Sequence, residues 1–226
     1  FQYQWQAAFA DDGRLAGLKL EMASHCGFSA DLSGPVNDRA ICHLDNAYYL
    51  DALALRSLRC KTHTVSNTAF RGFGGPQGMF LIETVLDDIA RHLQLDPLAV
   101  RQANFYDSEP GGARSVTHYG MPVTDNIAPA LVAELAARCQ YAQRRQAIAE
   151  FNAASPTLKR GLALTPVKFG ISFNATHFNQ AGALVHVYTD GTVLASHGGT
   201  EMGQGLYTKI RQIVAGEFGL PLADVR

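Results

Sequence analysis

No apolar run in the 226 residues approaches the length of about twenty needed to cross a bilayer, so nothing in the sequence reads as a membrane span. Blocks of lysine or arginine are missing too, as is an acidic tail. With a formal net charge of -1 the chain carries no nucleic-acid footprint. Cysteine is sparse: Cys26, Cys42, Cys60 and Cys139 form no CxxC pair, which argues against a zinc site and a disulfide framework. They read as buried free thiols of a reducing, cytoplasmic compartment. There is no internal repeat, and the opening FQYQWQAAF lacks the charged-then-apolar organisation of a secretory leader. What the chain does have is apolar content, 47%, enough for a substantial core in one large domain or two of ordinary size. It opens without methionine in a strand-like pattern and closes on LPLADVR, which reads as the start of a further strand. Both ends read as cut from a longer polypeptide.

Periodicity gives the elements. FQYQWQAAFA alternates polar and apolar residues, DDG turns the chain, and RLAGLKLEMAS continues as the second strand of a hairpin. Residues 29–36, with Gly34 and Pro35, read as a loop, and VNDRAICHLDN as a short helix. YYLDALALRSLRCKT is strand material in two short pieces. Met79, Ile82, Leu86, Ile89 and Leu93 recur at spacings of three and four, which predicts a helix from about 76 to 94. Asp96-Pro97 is an N-cap followed by a first-turn proline, and 106–120 is a polar loop. Residues 128–153 make one long amphipathic helix or a pair, with Val132, Leu135, Cys139 and Ala142 near one face; 158–173 returns to strand. GALVHVYTDGTVLASHGG is the clearest hairpin, with Asp190-Gly191 at its turn, and a helix from about 203 to 218 follows. Strands and helices are grouped, which predicts an α+β fold of two mixed subdomains, 1–125 and 126–226.

Two glycine-rich segments, NTAFRGFGGPQG at 67–78 and HGGTEMGQG at 197–205, each run from a strand into the start of a helix. A helix N-terminus offers unpaired N–H groups and partial positive charge, and glycine lets a ligand approach the backbone closely. A pair of such ends can hold an anionic or oxygen-rich ligand, although glycine clusters before helices also serve as plain tight connections. The spacing does not fit GxGxxG, no ribose-binding acid follows at about twenty residues, and there is no GK[ST]. The residues alone stop at an anion-tolerant glycine site beside aromatic rings.

SNTAFRGFGGPQG and HGGTEMGQG, with RAICHLDNAYY, RCKTHTVSNTAFRGF and FNQAGALVHVYTDGTV, closely resemble the molybdenum-binding subunit of the xanthine dehydrogenase family of molybdenum hydroxylases. The likeness runs through nearly the whole chain. It implies a fragment of an enzyme that oxidises hypoxanthine and xanthine to urate with water-derived oxygen at a molybdenum–pterin centre. Electrons would leave through iron–sulfur clusters and FAD on other domains or subunits, within a hetero-oligomer. By the same resemblance Phe70, Arg71 and Gly72 contact the cofactor, with the Arg71 backbone toward the metal. Phe73 and Phe173 sandwich the purine, and stacking of this kind is worth about 0.5–1.5 kcal/mol beyond burial. Arg39 stabilises negative charge that develops on the heterocycle. Leu32 lines the cavity, and Met202, Gly203 and Gln204 contact the phosphate and pterin side, the amides of 202 and 203 as donors. Without the match, Arg39 reads as an arginine on a surface helix and Phe173 as a core residue.

Departures from the family pattern bear on the substrate. Asn174 stands where threonine is common, Ala175 and Phe178 replace aliphatic residues, and Tyr207 replaces a frequent histidine. The family's general-base glutamate, a second substrate glutamate and further cofactor loops have no match in this segment. Glu201 reads as structural and Glu83 as paired with a neighbour, so the fragment alone is expected to be inactive. A hydroxylase of aldehydes or of other heterocycles, and a scaffold fragment without catalysis, are the alternatives; a nicotinamide-binding module is remote.

Overall fold

The computed structural model describes residues 1–170, 173 and 175–226. They form two compact units, Phe1–Gly170 and Ile171–Arg226. Each mixes helix and sheet, as the grouped pattern predicts.

In the first unit β1 (Gln2–Phe9) and β2 (Leu15–Gly27) make the antiparallel hairpin. Its turn depends on Gly13 at φ +83°, where a Cβ would also press to 2.9 Å from Val100. A single β3 (Leu53–Lys61) replaces the two short pieces expected over 48–62. It runs parallel to β2, giving the order β1-β2-β3. Parallel pairing demands a crossover, and α1 (Ser33–Cys42) lies in it. That helix starts earlier than expected because Pro35, read as a loop residue, falls in the first turn, where its missing N–H goes unneeded. Leu18, Leu20 and Met22 turn to the buried face while Lys19 stays exposed. Against them lies α2 (Gly75–Leu93), burying Leu81, Ile82, Val85, Leu86 and Ile89.

Asp96 accepts the Leu98 amide at 2.8 Å and starts α3 (Pro97–Ala103) as its sequence announces. The long helical stretch is a pair, α4 (Ala128–Arg138) and α5 (Tyr141–Ala154), broken where Gln140 enters the left-handed region at φ 53°. Val132 and Tyr141 join the core, but Leu135, expected on the same face, is exposed. Among the described residues of 158–173 no strand forms. This stretch lacks a partner strand, and its backbone bonds go to side chains instead.

The second unit contains the expected hairpin, β4 (Ala183–Val187) with β5 (Val193–His197), turned at Gly191 while Asp190 accepts the Thr192 amide at 2.9 Å. α6 (Leu206–Phe218) begins after Gly205 rather than at 203. The further strand expected over LPLADVR does not form: Leu222–Asp224 make a 3-10 turn, Val225 forms an isolated parallel bridge with Val193, Arg226 donates to Val193 at 2.8 Å, and Ala195 donates to Arg226 at 2.7 Å. Val193, Ala215 and Val225 form this unit's small core. No helix among the described residues is long and apolar enough to cross a membrane.

Candidate cofactor and substrate site

The first glycine segment is shaped by packing before any ligand is considered. Gly74, the N-cap of α2, sits at φ +97°, and a Cβ there would lie 2.0 Å from the Val36 carbonyl oxygen. At Gly78 a Cβ would lie 2.2 Å from the Ala40 carbonyl oxygen. α2 therefore starts with its backbone directly on that of α1, an approach only glycine permits. Phe73 is held at φ 52° between left-handed Gly72 and Gly74, a conformation costly for a bulky residue and typical of sites that the surroundings over-determine. The Phe73 amide donates to Phe70 and the Gly75 amide to Gly72. Among the described residues, the amides of Arg71 and Gly72 make no hydrogen bond. Phe70 and Arg71 are exposed. Amides left without a bond on a left-handed turn suit an oxygen-rich group such as the one the resemblance implies.

Arg39 lies in the last turn of α1 and is buried, which corrects the reading of it as a surface arginine. It donates to the Gly170 carbonyl, and its guanidinium carbon lies 4.9 Å from the centre of the Phe169 ring. Burial pulls its pKa down, opposed by the nearby Cys42, without threatening a charge as persistent as a guanidinium's. Phe169 also meets the glycine segment, since a Cβ at Gly75 would come 2.4 Å from its Cε2. One ring thus adjoins both the arginine and the loop. Sequence reasoning missed Phe169 because 158–173 resembled strand; its one signal was an aromatic beside glycine in KFG.

His43, one turn beyond Arg39, packs on the same ring at 4.7 Å between centroids. The Gly170 amide donates to its Nε2 at 3.0 Å, so Nε2 is unprotonated and Nδ1–H donates to the Arg39 carbonyl at 3.0 Å. Burial lowers the His43 pKa. Leu32 is the N-cap of α1 and is partly exposed, its carbonyl accepting the Val36 amide. Glu83 is paired: it accepts from Asn46 at 2.9 Å, Tyr48 at 2.6 Å and Arg101 at 2.7 Å.

In the second unit the helix start is capped from within. Glu201 accepts the amides of Gly203 at 2.8 Å, Gly205 at 3.1 Å and Tyr207 at 3.3 Å. Gln204 accepts the Met202 amide at 2.6 Å and donates to the Thr200 carbonyl at 2.7 Å. The amides of 202 and 203, expected as donors to a cofactor, are thus engaged by their own loop. Glu201 is structural, as expected. Phe173 has its backbone held at both ends by the Asn179 amide, at 2.6 and 2.9 Å, and its ring meets Phe178 edge-on at 5.6 Å. Phe73 belongs to the first unit and Phe173 to the second. Asn174 lies outside the described residues.

Residues 1–105 match one family model described as a molybdopterin cofactor-binding domain, and residues 134–226 match a second of the same description. The chain belongs to the molybdopterin cofactor-binding family. Among sequence relatives, a xanthine dehydrogenase of Emericella nidulans is 44% identical over all of this chain, and the xanthine dehydrogenase/oxidase of Gallus gallus is 43% identical. Nicotinate hydroxylase hnxS of Emericella nidulans is 42% identical over 99% of the chain. The chain spans 16% of the length of each of these relatives. Two solved structures share the fold. Quinoline 2-oxidoreductase from Pseudomonas putida 86 has a TM-score of 0.70 at 22% identity, covering 99% of this chain and 29% of that one. The aldehyde oxidoreductase from Desulfovibrio desulfuricans has a TM-score of 0.72 at 17% identity, covering 99% and 24%.

Proposed function

We propose that this chain is part of a purine hydroxylase, one that oxidises hypoxanthine and xanthine to urate. The observation that carries the reading is Arg39, which sits in the RAICHLDN match, is buried, and lies against the ring that also adjoins the glycine segment. Two of the relatives above support it by name, and the Arg71 and Gly72 amides, which make no hydrogen bond among the described residues and suit an oxygen-rich cofactor, support it chemically. When bound, the molybdenum–pterin group supplies the oxidation and the transfer of a water-derived oxygen. Phe70, Arg71 and Gly72 would hold it in the first unit and Met202, Gly203 and Gln204 in the second, the latter once Gln204 leaves the Met202 amide and Glu201 the Gly203 amide.

The remaining roles belong to this chain's own side chains. Phe73 and Phe173 hold the flat heterocycle by stacking, Leu32 adds an apolar wall, and Asn174 offers an amide to the substrate edge. Arg39 places fixed positive charge where negative charge develops, the kind of electrostatic help that commonly dominates catalysis. The two cofactor-binding subdomains are read as 1–125 and 126–226; the interval between the matched stretches, 106–133, spans that division, while the compact units divide at Gly170. Iron–sulfur clusters and FAD elsewhere in a cytoplasmic hetero-oligomer complete the electron path. Replacing Arg39 with alanine in the full-length protein tests the assignment: purine turnover should collapse, and unchanged turnover ends it. Hydroxylation of another N-heterocycle is the second reading, favoured by the identity to nicotinate hydroxylase, and nicotinate turnover by the same protein would establish it.

A further inference from the structure

Residues 164–170 form a strap that follows the helical pair and carries Phe169. Leu164 and Pro166 are buried, and the strap's polar groups go to one short run of sequence. Asn46, left-handed at φ 44°, donates to the Pro166 carbonyl at 2.9 Å and accepts the Lys168 amide at 3.0 Å. Asp45, fully buried, takes the Lys168 ammonium at 3.0 Å. His43 accepts the Gly170 amide, and Arg39 donates to the Gly170 carbonyl while lying over Phe169. All four residues spelled out in R-x-x-x-H-x-D-N, Arg39, His43, Asp45 and Asn46, therefore grip the strap, while Asp38, just before the run, pairs with Arg59 instead.

We propose that this run is a clamp on the strap and that His43 is the positioning residue that fixes Arg39 and Phe169 against each other. Among the described residues, His43 alone bonds both the Arg39 backbone and the Gly170 backbone. Its imidazole spans the gap between helix and strap, so the register of one sets that of the other. Such a bridge needs one donor and one acceptor nitrogen, which only the neutral ring provides. The charged groups facing it are Arg39 on its own helix, Lys168 on the strap and Asp45 on the following turn. The two cations oppose protonation and Asp45 favours it; burial weighs more than any of them and keeps the ring neutral at physiological pH. The positioning role rests on the reading of Arg39 as the substrate arginine; the clamp does not.

The test uses the full-length protein with His43→Leu and His43→Gln. Hydrogen exchange is followed in peptides covering 166–170, and hypoxanthine turnover is measured alongside. Loss of one neutral hydrogen bond should speed exchange of the strap about three- to tenfold in the leucine variant. The glutamine variant, whose Oε1 reaches where Nε2 stands, should restore protection. Hypoxanthine kcat should fall in the leucine variant with KM changed less, and recover in the glutamine variant. After correction for intrinsic exchange, wild-type strap protection should fade as pH drops below the ordinary imidazole value of about 6.5, and the glutamine variant should not show this fade. Unchanged exchange in the leucine variant, or no recovery with glutamine, overturns the clamp. Should the leucine variant not fold, wild-type protection that ignores pH through this range overturns it equally. Faster exchange with full hypoxanthine turnover leaves the clamp standing and overturns the positioning role given to His43, while Arg39's own role is decided by Arg39→Ala.

Discussion

The guanidinium carbon of Arg39 stands 4.9 Å from the centre of the Phe169 ring, and the far edge of that ring occupies the space a side chain at Gly75 would need. An arginine over an aromatic face is worth about 0.5–1 kcal/mol when exposed and about 2 when desolvated. Here the same ring also adjoins the glycine segment, so a change at Gly75 is expected to reach the cation through it.

A paired substitution exposes that coupling. Gly75→Ala places its methyl 2.4 Å from Phe169 Cε2, an overpacking that should destabilise by about 1–3 kcal/mol. Phe169→Leu in the same chain should recover most of the loss, since the obstacle is a side chain. Gly78→Ala meets the Ala40 carbonyl at 2.2 Å, and no side-chain change can relieve a clash with backbone. Denaturant unfolding of the single and double variants checks this; rescue of Gly78→Ala by Phe169→Leu would contradict it.

Glu83 is the hub that ties α2 to α3. Arg101 has 2% of its side chain exposed and bonds Glu83 at 2.7 Å and Asp87 at 2.9 Å, while Tyr48 and Asn46 complete the Glu83 carboxylate. Removing one partner of a buried pair leaves the other uncompensated. Glu83→Ala should therefore lower stability by about 3–5 kcal/mol, whereas Asp87→Ala, whose side chain is 41% exposed, should cost far less. Urea midpoints of the two variants decide.

Where period and capping spoke clearly, the chain was legible: the α2 stripe, the Asp96 cap and both hairpins lie where their residues announce them. The parallel β2–β3 pairing was not, because register between strands distant in sequence leaves no local signature. The strap was misread for a related reason. Its alternation of buried Leu164 and Pro166 with exposed neighbours is strand-like, yet its backbone partners are side chains some 120 residues earlier, Asn46 and His43. Arg39 and the glycine segment were legible as site candidates through their motif. Phe169, which adjoins both, carries no motif of its own.

Tyr3 links the edge strand β1 to the start of α2, its hydroxyl donating to the Gln77 carbonyl at 2.9 Å. Burial pushes its pKa up to about 12. A phenol raised in the fold binds its proton more tightly there than in the unfolded chain. Its contribution is thus complete below the ordinary tyrosine value of about 10 and is lost as pH climbs toward 12. Alkaline unfolding of Tyr3→Phe should show a shallower pH dependence than wild type between these limits. Identical slopes would mean the hydroxyl makes no difference to the fold's proton balance.

Glu201 gives the opposite limb. Partial desolvation works to raise its pKa, but the amides of Tyr207, Gly203, Gly205 and Leu206 outweigh this and hold the carboxyl below its usual range. A carboxylate depressed in the fold stabilises above its ordinary pKa of about 4.3, and the benefit disappears as pH falls through the folded value. The first turn of α6 should therefore loosen in mild acid while the β4–β5 hairpin, whose bonds involve no carboxylate beyond the Asp190 turn, persists. Glu201→Gln retains one acceptor oxygen and loses the charge, so its helix start should be looser at neutral pH and indifferent to acid. Hydrogen exchange across 201–209, compared between the two proteins from neutral to acid pH, reads this directly. Because the same carboxylate holds the amides of a loop proposed to face the cofactor, the glutamine variant should also release the Gly203 amide most readily. Equal protection of Gly203 in both proteins would show that the charge is not what closes the loop.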